Sequence, residues 1–103
     1  MRTIKAAITA VGAYVPDFVL TNKALESMVD TNEEWITSRT GIKERRILKE
    51  EGKGTSFLAI KAAQNLLAKA NIDPLEIDLL IMATATADMP VASTGAYVAT
   101  EIG

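Results

Sequence analysis

Residues 29–45 read Val29-Asp30-Thr31-Asn32-Glu33-Glu34-Trp35-Ile36-Thr37-Ser38-Arg39-Thr40-Gly41-Ile42-Lys43-Glu44-Arg45, the most distinctive stretch of the chain. Thr31 and Glu34 have the Thr-x-x-Glu spacing of a capping box, in which each side chain satisfies an orphan backbone donor of the next helix. Trp35 and Ile36 then fall in the first turns of that helix, and Arg39 lies one turn beyond Trp35 on the same face. Gly41 is well placed to stop it. The only Trp of the chain thus stands beside a guanidinium, with further cations at Lys43, Arg45 and Arg46. That pairing suits a purine carrying a phosphate, because the ring stacks on the indole while Arg bonds the anion with charge assistance. A plainer reading makes Trp35 a core anchor and Arg39 a solvated or Glu-paired charge. The residues alone leave both open.

On the N-terminal side, Ile4 to Val15 is almost continuously apolar, which predicts a strand buried on both faces. Pro16-Asp17 ends it. Thr21-Asn22 then offers an N-cap to a short helix carrying Leu25, Met28 and Val29. On the C-terminal side, the charged run Lys43–Gly54 predicts an extended segment or exposed loop. Its alternating Lys, Arg and Glu read first as a solvated mixed-charge face, and otherwise as a guide for phosphates or an acidic partner. Thr55 is the expected cap of the longest helix, running to about Ala70 with Ala59, Ala62, Ala63, Leu66 and Ala70 at helical spacing. Asn71 can close that helix in a left-handed conformation. Asp73-Pro74-Leu75-Glu76 has the form of a one-turn helical start. A second strand, apolar on both faces, is expected at Leu79–Ala83, followed by a loop from Thr86 to Ala92. Ser93 or Thr94 then caps a final helix reaching Glu101. The order βαβα predicts a right-handed crossover and a parallel sheet. Two strands are too few for a free-standing sheet of that kind, so the chain reads as incomplete, with exposed apolar surface and a tendency to associate.

Composition narrows the chemistry. The chain has 103 residues, enough for one core, with 49% hydrophobic and only 5% aromatic residues. A net charge of -2 argues against the broad positive field of a nucleic-acid binder. There is no Cys and no His, hence no disulfide framework, no thiolate or imidazole metal site and no cysteine nucleophile. The N-terminus lacks the apolar run of a signal peptide, and the longest apolar run is too short to span a bilayer. The default expectation is a soluble cytoplasmic protein with no metal and no membrane partner.

The segment Val29–Arg45 resembles the Asp-Thr-x-x-Glu-Trp-Ile-x-x-Arg-Thr-Gly-Ile-x-x-Arg pattern of β-ketoacyl-acyl carrier protein synthase III, without a gap. Flanking pieces are similar to the same family: Gly12-Ala13-Tyr14-Val15-Pro16, Thr21-Asn22 and Ala83-Thr84-Ala85-Thr86-Ala87-Asp88. The resemblance spans essentially all of residues 1–103 but only the first part of a family member. It implies an α/β fold, the N-terminal part of a thiolase-like αβαβα half whose domain continues beyond Gly103 in the family. It further implies a cytoplasmic, homodimeric acyltransferase of fatty acid biosynthesis. Such an enzyme moves an acyl group from acyl-CoA onto a Cys and condenses it with malonyl-acyl carrier protein, losing CO2; CoA enters as substrate and no separate cofactor is needed.

By the same resemblance Trp35 stacks on the CoA adenine, Arg39 contacts its nucleotide part and Thr31 lies beside that group. Thr31 also has the capping role read above, and as a cap its replacement by Val would cost on the order of 1 kcal/mol. Val91 matches the position where many members send a Phe across the dimer to wall off the partner's acyl pocket, and Ala92 stands where Pro is usual. Val91 there implies a roomier pocket, against the plainer reading of an internally packed loop hydrophobe. The family's catalytic Cys, His and Asn have no counterpart among these residues, so no catalytic residue is assigned and the chain alone is expected to be inactive. Two other readings remain: a non-catalytic CoA- or nucleotide-binding module, and a subunit whose sheet another chain completes.

Overall fold

A computed structural model describes residues 2–103 as two compact units, one of Val15–Lys53 and one of Gly54–Gly103 with the N-terminal segment up to Tyr14.

The first unit holds β1 (Phe18–Thr21), α1 (Asn22–Glu26), α2 (Glu33–Thr40) and β2 (Glu44–Ile47). β1 and β2 pair antiparallel, from Phe18 opposite Ile47 to Thr21 opposite Glu44. β1 runs directly into α1 because Thr21 both ends the strand and caps the helix, its Oγ1 accepting from Ala24 N at 3.1 Å. The charged run is therefore strand at Glu44–Ile47, as its extended reading expects. Lys49 packs its ammonium 3.8 Å from the Phe18 ring centre. α1 stops at Glu26, leaving Met28 and Val29 beyond it and exposed.

The Thr31–Glu34 capping box does not form. Asn32 is the N-cap of α2, with its side chain accepting from Trp35 N at 2.8 Å, while the Glu33 amide donates to Glu26 Oε1 at 2.7 Å. Asn is among the best caps, and from position 32 its short amide meets the third helical N–H directly, so Thr31 one residue earlier is left without that role. Gly41 closes α2 as the spacing requires: it is left-handed (φ 70°) and its N–H donates to Thr37 O at 2.8 Å.

The second unit packs α3 (Thr55–Ala70) on α4 (Thr94–Ile102), with a 3-10 turn at Pro74–Glu76 between them. The local end signals hold. Asn71 is left-handed (φ 54°), Asp73 and Glu76 form a capping box, and Ser93 Oγ accepts from Ala96 N at 3.1 Å. α3 departs from expectation. Gly54 occupies its N-cap without a side chain, and Thr55 is the first helical residue, its hydroxyl donating to Thr86 O.

The apolar runs 4–15 and 79–83 carry no strand, and the paired strands among the described residues are β1 and β2 alone. The expected parallel pair is thus replaced here by a small antiparallel one. A strand exists only through its ladder, and these runs find helices and no ladder partner. Gly12 lies so close to α3 that a Cβ there would stand 2.5 Å from Leu66 Cβ, and Asn65 Nδ2 donates to Ala13 O at 3.0 Å. Tyr14 meets Phe57 edge to face, with ring centres 6.0 Å apart. Leu80 and Met82 are half-buried against Gly95 of α4, but Ile81 between them is 83% exposed, as Ile8 is 89% exposed in the other run. Sequences apolar on both faces are covered on one.

Replacing Asn32 by Ala is expected to destabilise the chain by about 1 kcal/mol, whereas Thr31→Val changes it by less than about 0.5 kcal/mol. Urea denaturation followed by the fluorescence of Trp35 separates the two; the opposite order would restore the capping box.

Candidate nucleotide site

Of the sequence-selected residues of the first unit, Trp35 and Arg39 lie on the exposed side of α2. Arg39 sits over the Trp35 ring, with Cζ 4.7 Å from the ring centre, a spacing that one helical turn enforces. Trp35 is 52% exposed, so it is not a core anchor; the buried residue of α2 is its neighbour Ile36. An indole this open, with a cation already stacked on it, offers a flat apolar surface and anion-binding donors side by side. Thr31 is half-buried just before the cap.

Behind this surface stands a residue that sequence reading took only for a helix start. Asn22 is 1% exposed. Its Nδ2 donates to Ile42 O at 2.8 Å and lies 3.4 Å from Thr37 Oγ1, while its Oδ1 accepts from Arg45 Nη2 at 2.8 Å. Its own N–H donates to Lys43 O at 3.2 Å. Arg45 also donates to Leu20 O at 3.3 Å, and Arg46 donates to Pro16 O at 3.1 Å. Two cations of the basic run are thus bonded within the ribbon. No signal within a few residues of Asn22 could have shown this, because its partners are 15 to 23 residues away.

In the second unit, Val91 is 98% exposed. Met89 and Pro90 from the same loop line an open groove of about 480 Å³ with Leu80, Met82, Gly95 and Ala96. Asp88 completes the missing cap of α3: its Oδ1 accepts from Ser56 N at 2.9 Å, and its own N–H donates to Thr94 Oγ1 at 3.3 Å. Hydrogen bonds from the Ser56 side chain and then its backbone hold the Asp88 carboxyl below its ordinary 3.8, against an opposing desolvation and with a minor contribution from the Thr55 backbone. Among the described residues no group of His, Cys, Asp and Glu could hold a metal, and no helix is long and apolar enough to cross a membrane.

No protein-family profile matches the chain. Individual proteins do. The chain is 59% identical, over all 103 residues, to β-ketoacyl-[acyl-carrier-protein] synthase III of Porphyromonas gingivalis, and covers 31% of that protein. Over its whole length the sequence matches the type III synthases. The chain spans about 31% of the length of the curated relatives it matches, as their N-terminal part. In structure, 90% of it superposes on the 3-oxoacyl-[acyl-carrier-protein] synthase III of Aquifex aeolicus, at TM-score 0.83 and 47% identity, covering 30% of that chain. The priming β-ketosynthase of the R1128 polyketide pathway gives TM-score 0.81 and 34% identity, over 90% of this chain and 28% of that one. The fold is therefore the thiolase-like α/β fold of these enzymes, present in part.

Asp88 sets a pH test. Because its folded pKa is lowered, its contribution is fully present above the ordinary 3.8 and is lost as pH falls through the folded value. Asp88→Asn is expected to lower Tm at neutral pH, with a gap to the parent chain that closes as the pH drops below 3.8. Circular-dichroism melts across that range check it; a gap independent of pH would show that the charge is not what caps α3.

Proposed function

We propose that residues 1–103 form the N-terminal segment of a thiolase-like domain and supply the CoA-recognising side of a condensing enzyme. That enzyme joins an acyl group from acyl-CoA to malonyl-acyl carrier protein with loss of CO2, as a cytoplasmic homodimer, and acyl-CoA is its substrate. The observation that carries the reading is the open Trp35 with Arg39 stacked 4.7 Å from its ring centre, inside the segment that resembles the type III synthases. The indole takes the adenine, the guanidinium takes a phosphate of the nucleotide, and Thr31 borders the same site. With its capping role gone, Thr31 is free of the competing explanation for its presence.

Acyl transfer needs a nucleophile, and the sequence has no Cys and no His. The chain by itself recognises the carrier end of the substrate and does not turn it over. Val91, fully open to solvent, is available to reach a partner subunit's acyl pocket, where its small side chain leaves room for acyl groups longer than acetyl.

Isothermal titration of the chain with CoA tests the nucleotide site. Trp35→Ala is expected to weaken binding about tenfold, the scale of one base stacking on an aromatic ring. Arg39→Lys weakens it less, because charge is kept and the planar fork is lost. CoA affinity indifferent to Trp35→Ala would remove the proposal. In a complete synthase bearing this segment, Val91→Phe is expected to shift the kcat/KM ratio toward acetyl-CoA over longer acyl-CoA substrates. An unchanged ratio would leave Val91 no part in the pocket.

A further inference from the structure

We propose that Asn22 and Arg45 are positioning residues for the Trp35–Arg39 site, holding α2 in its binding orientation without touching the ligand; this rests on the nucleotide reading above. α2 has eight residues, about two turns, well below the length at which a helix persists by itself. Ile36 is its one buried residue, so apolar packing gives it a single point of attachment. Trp35 and Arg39 must stay open to bind and add no second one. Hydrogen bonds supply the rest, the Glu33 amide to Glu26 Oε1 at the N-terminal end and the Asn22 carboxamide at the C-terminal end. Nδ2 bonds Ile42 O, just past the Gly41 stop, and approaches the hydroxyl of Thr37, which lies between Trp35 and Arg39 in sequence. Oδ1 is gripped by Arg45, itself fixed to Leu20 O of β1. The C-terminal end of α2 is thereby bonded through one buried amide to both strands. A freed α2 end would let the indole and guanidinium drift from one geometry, and such a site loses affinity when its supports loosen.

Asn22→Asp separates the two halves of the bridge: it keeps an acceptor for Arg45 and removes the donor toward Ile42 O and Thr37 Oγ1. CoA affinity is read by isothermal titration on the full chain, at temperatures where circular dichroism shows each variant folded. Asn22→Asp and Arg45→Met are each expected to weaken CoA binding about tenfold. Arg45→Lys, whose ammonium can keep one bond to Oδ1, recovers part of that loss. A merely structural role lowers Tm and leaves CoA affinity of the folded variants unchanged, and that result would overturn the proposal. Where Asn22→Asp does not fold, the Arg45→Met and Arg45→Lys pair decides the matter by the same criterion. Trp35→Ala is measured alongside. If it weakens binding and the Asn22 and Arg45 variants do not, only the positioning role falls; if it has no effect, the nucleotide site falls and the positioning role with it.

Discussion

The buried carboxamide of Asn22 is the constraint on which the site-bearing unit depends. A buried polar group left unpaired costs about 1–3 kcal/mol, so the amide imposes its geometry on whatever surrounds it. Here it is met on both sides, by Ile42 O at 2.8 Å and by Arg45 Nη2 at 2.8 Å. Those bonds tie the segment just past the α2 stop to Arg45 of β2. Hydrophobic burial cannot do this in its place. Among the described residues the buried apolar side chains are Ile36 and Val98, each worth up to about 1.5–3 kcal/mol, against an ordering cost of about 1–2 kcal/mol for every residue fixed.

Asp88 does for the second unit what Asn22 does for the first. α3 begins at a glycine with no side chain to offer, and the carboxylate that caps it arrives from 32 residues further on. Through Thr94 the same aspartate is bonded to the start of α4. Gly54 leaves the room this needs: a Cβ there would stand 2.9 Å from Asp88 Oδ1. Each unit thus has a side chain that ties distant segments together, and in the second unit the apolar runs keep one face uncovered.

What the sequence disclosed follows the range of the interactions. Helix ends decided within four residues were legible: Thr21, Gly41, Asn71, Asp73 and Ser93 each do what their chemistry predicts. At Thr31-Asn32 two good caps stood side by side, and periodicity could not choose between them. The Trp35–Arg39 pair was legible as a candidate site because the helix itself sets the spacing. Strands were not, since a ladder partner lies outside any local window: the apolar run before Pro16 drew the assignment, and the paired strand formed just after it, at Phe18–Thr21. Asn22 and Asp88 were missed for the same reason, each being read only for its neighbours in sequence.

Under the proposed reading, the distribution of tasks on α2 follows from a conflict between binding and folding. A side chain that is to stack on a ligand must remain open in the free protein, and one that remains open holds nothing in place. Trp35, the largest apolar residue of the helix, is given to the surface, so the helix forfeits the burial that would otherwise anchor it. Its attachment passes to Ile36 on the inner side and to hydrogen bonds at both of its ends. Hydrogen bonds suit that duty better than a second apolar contact would, because they specify direction as well as proximity. The cation stacked on the indole needs a defined direction if its outward donors are to meet a phosphate. An exposed aromatic–guanidinium pair and a buried, hydrogen-bonded asparagine are therefore two parts of one arrangement, the first left open while the second is held.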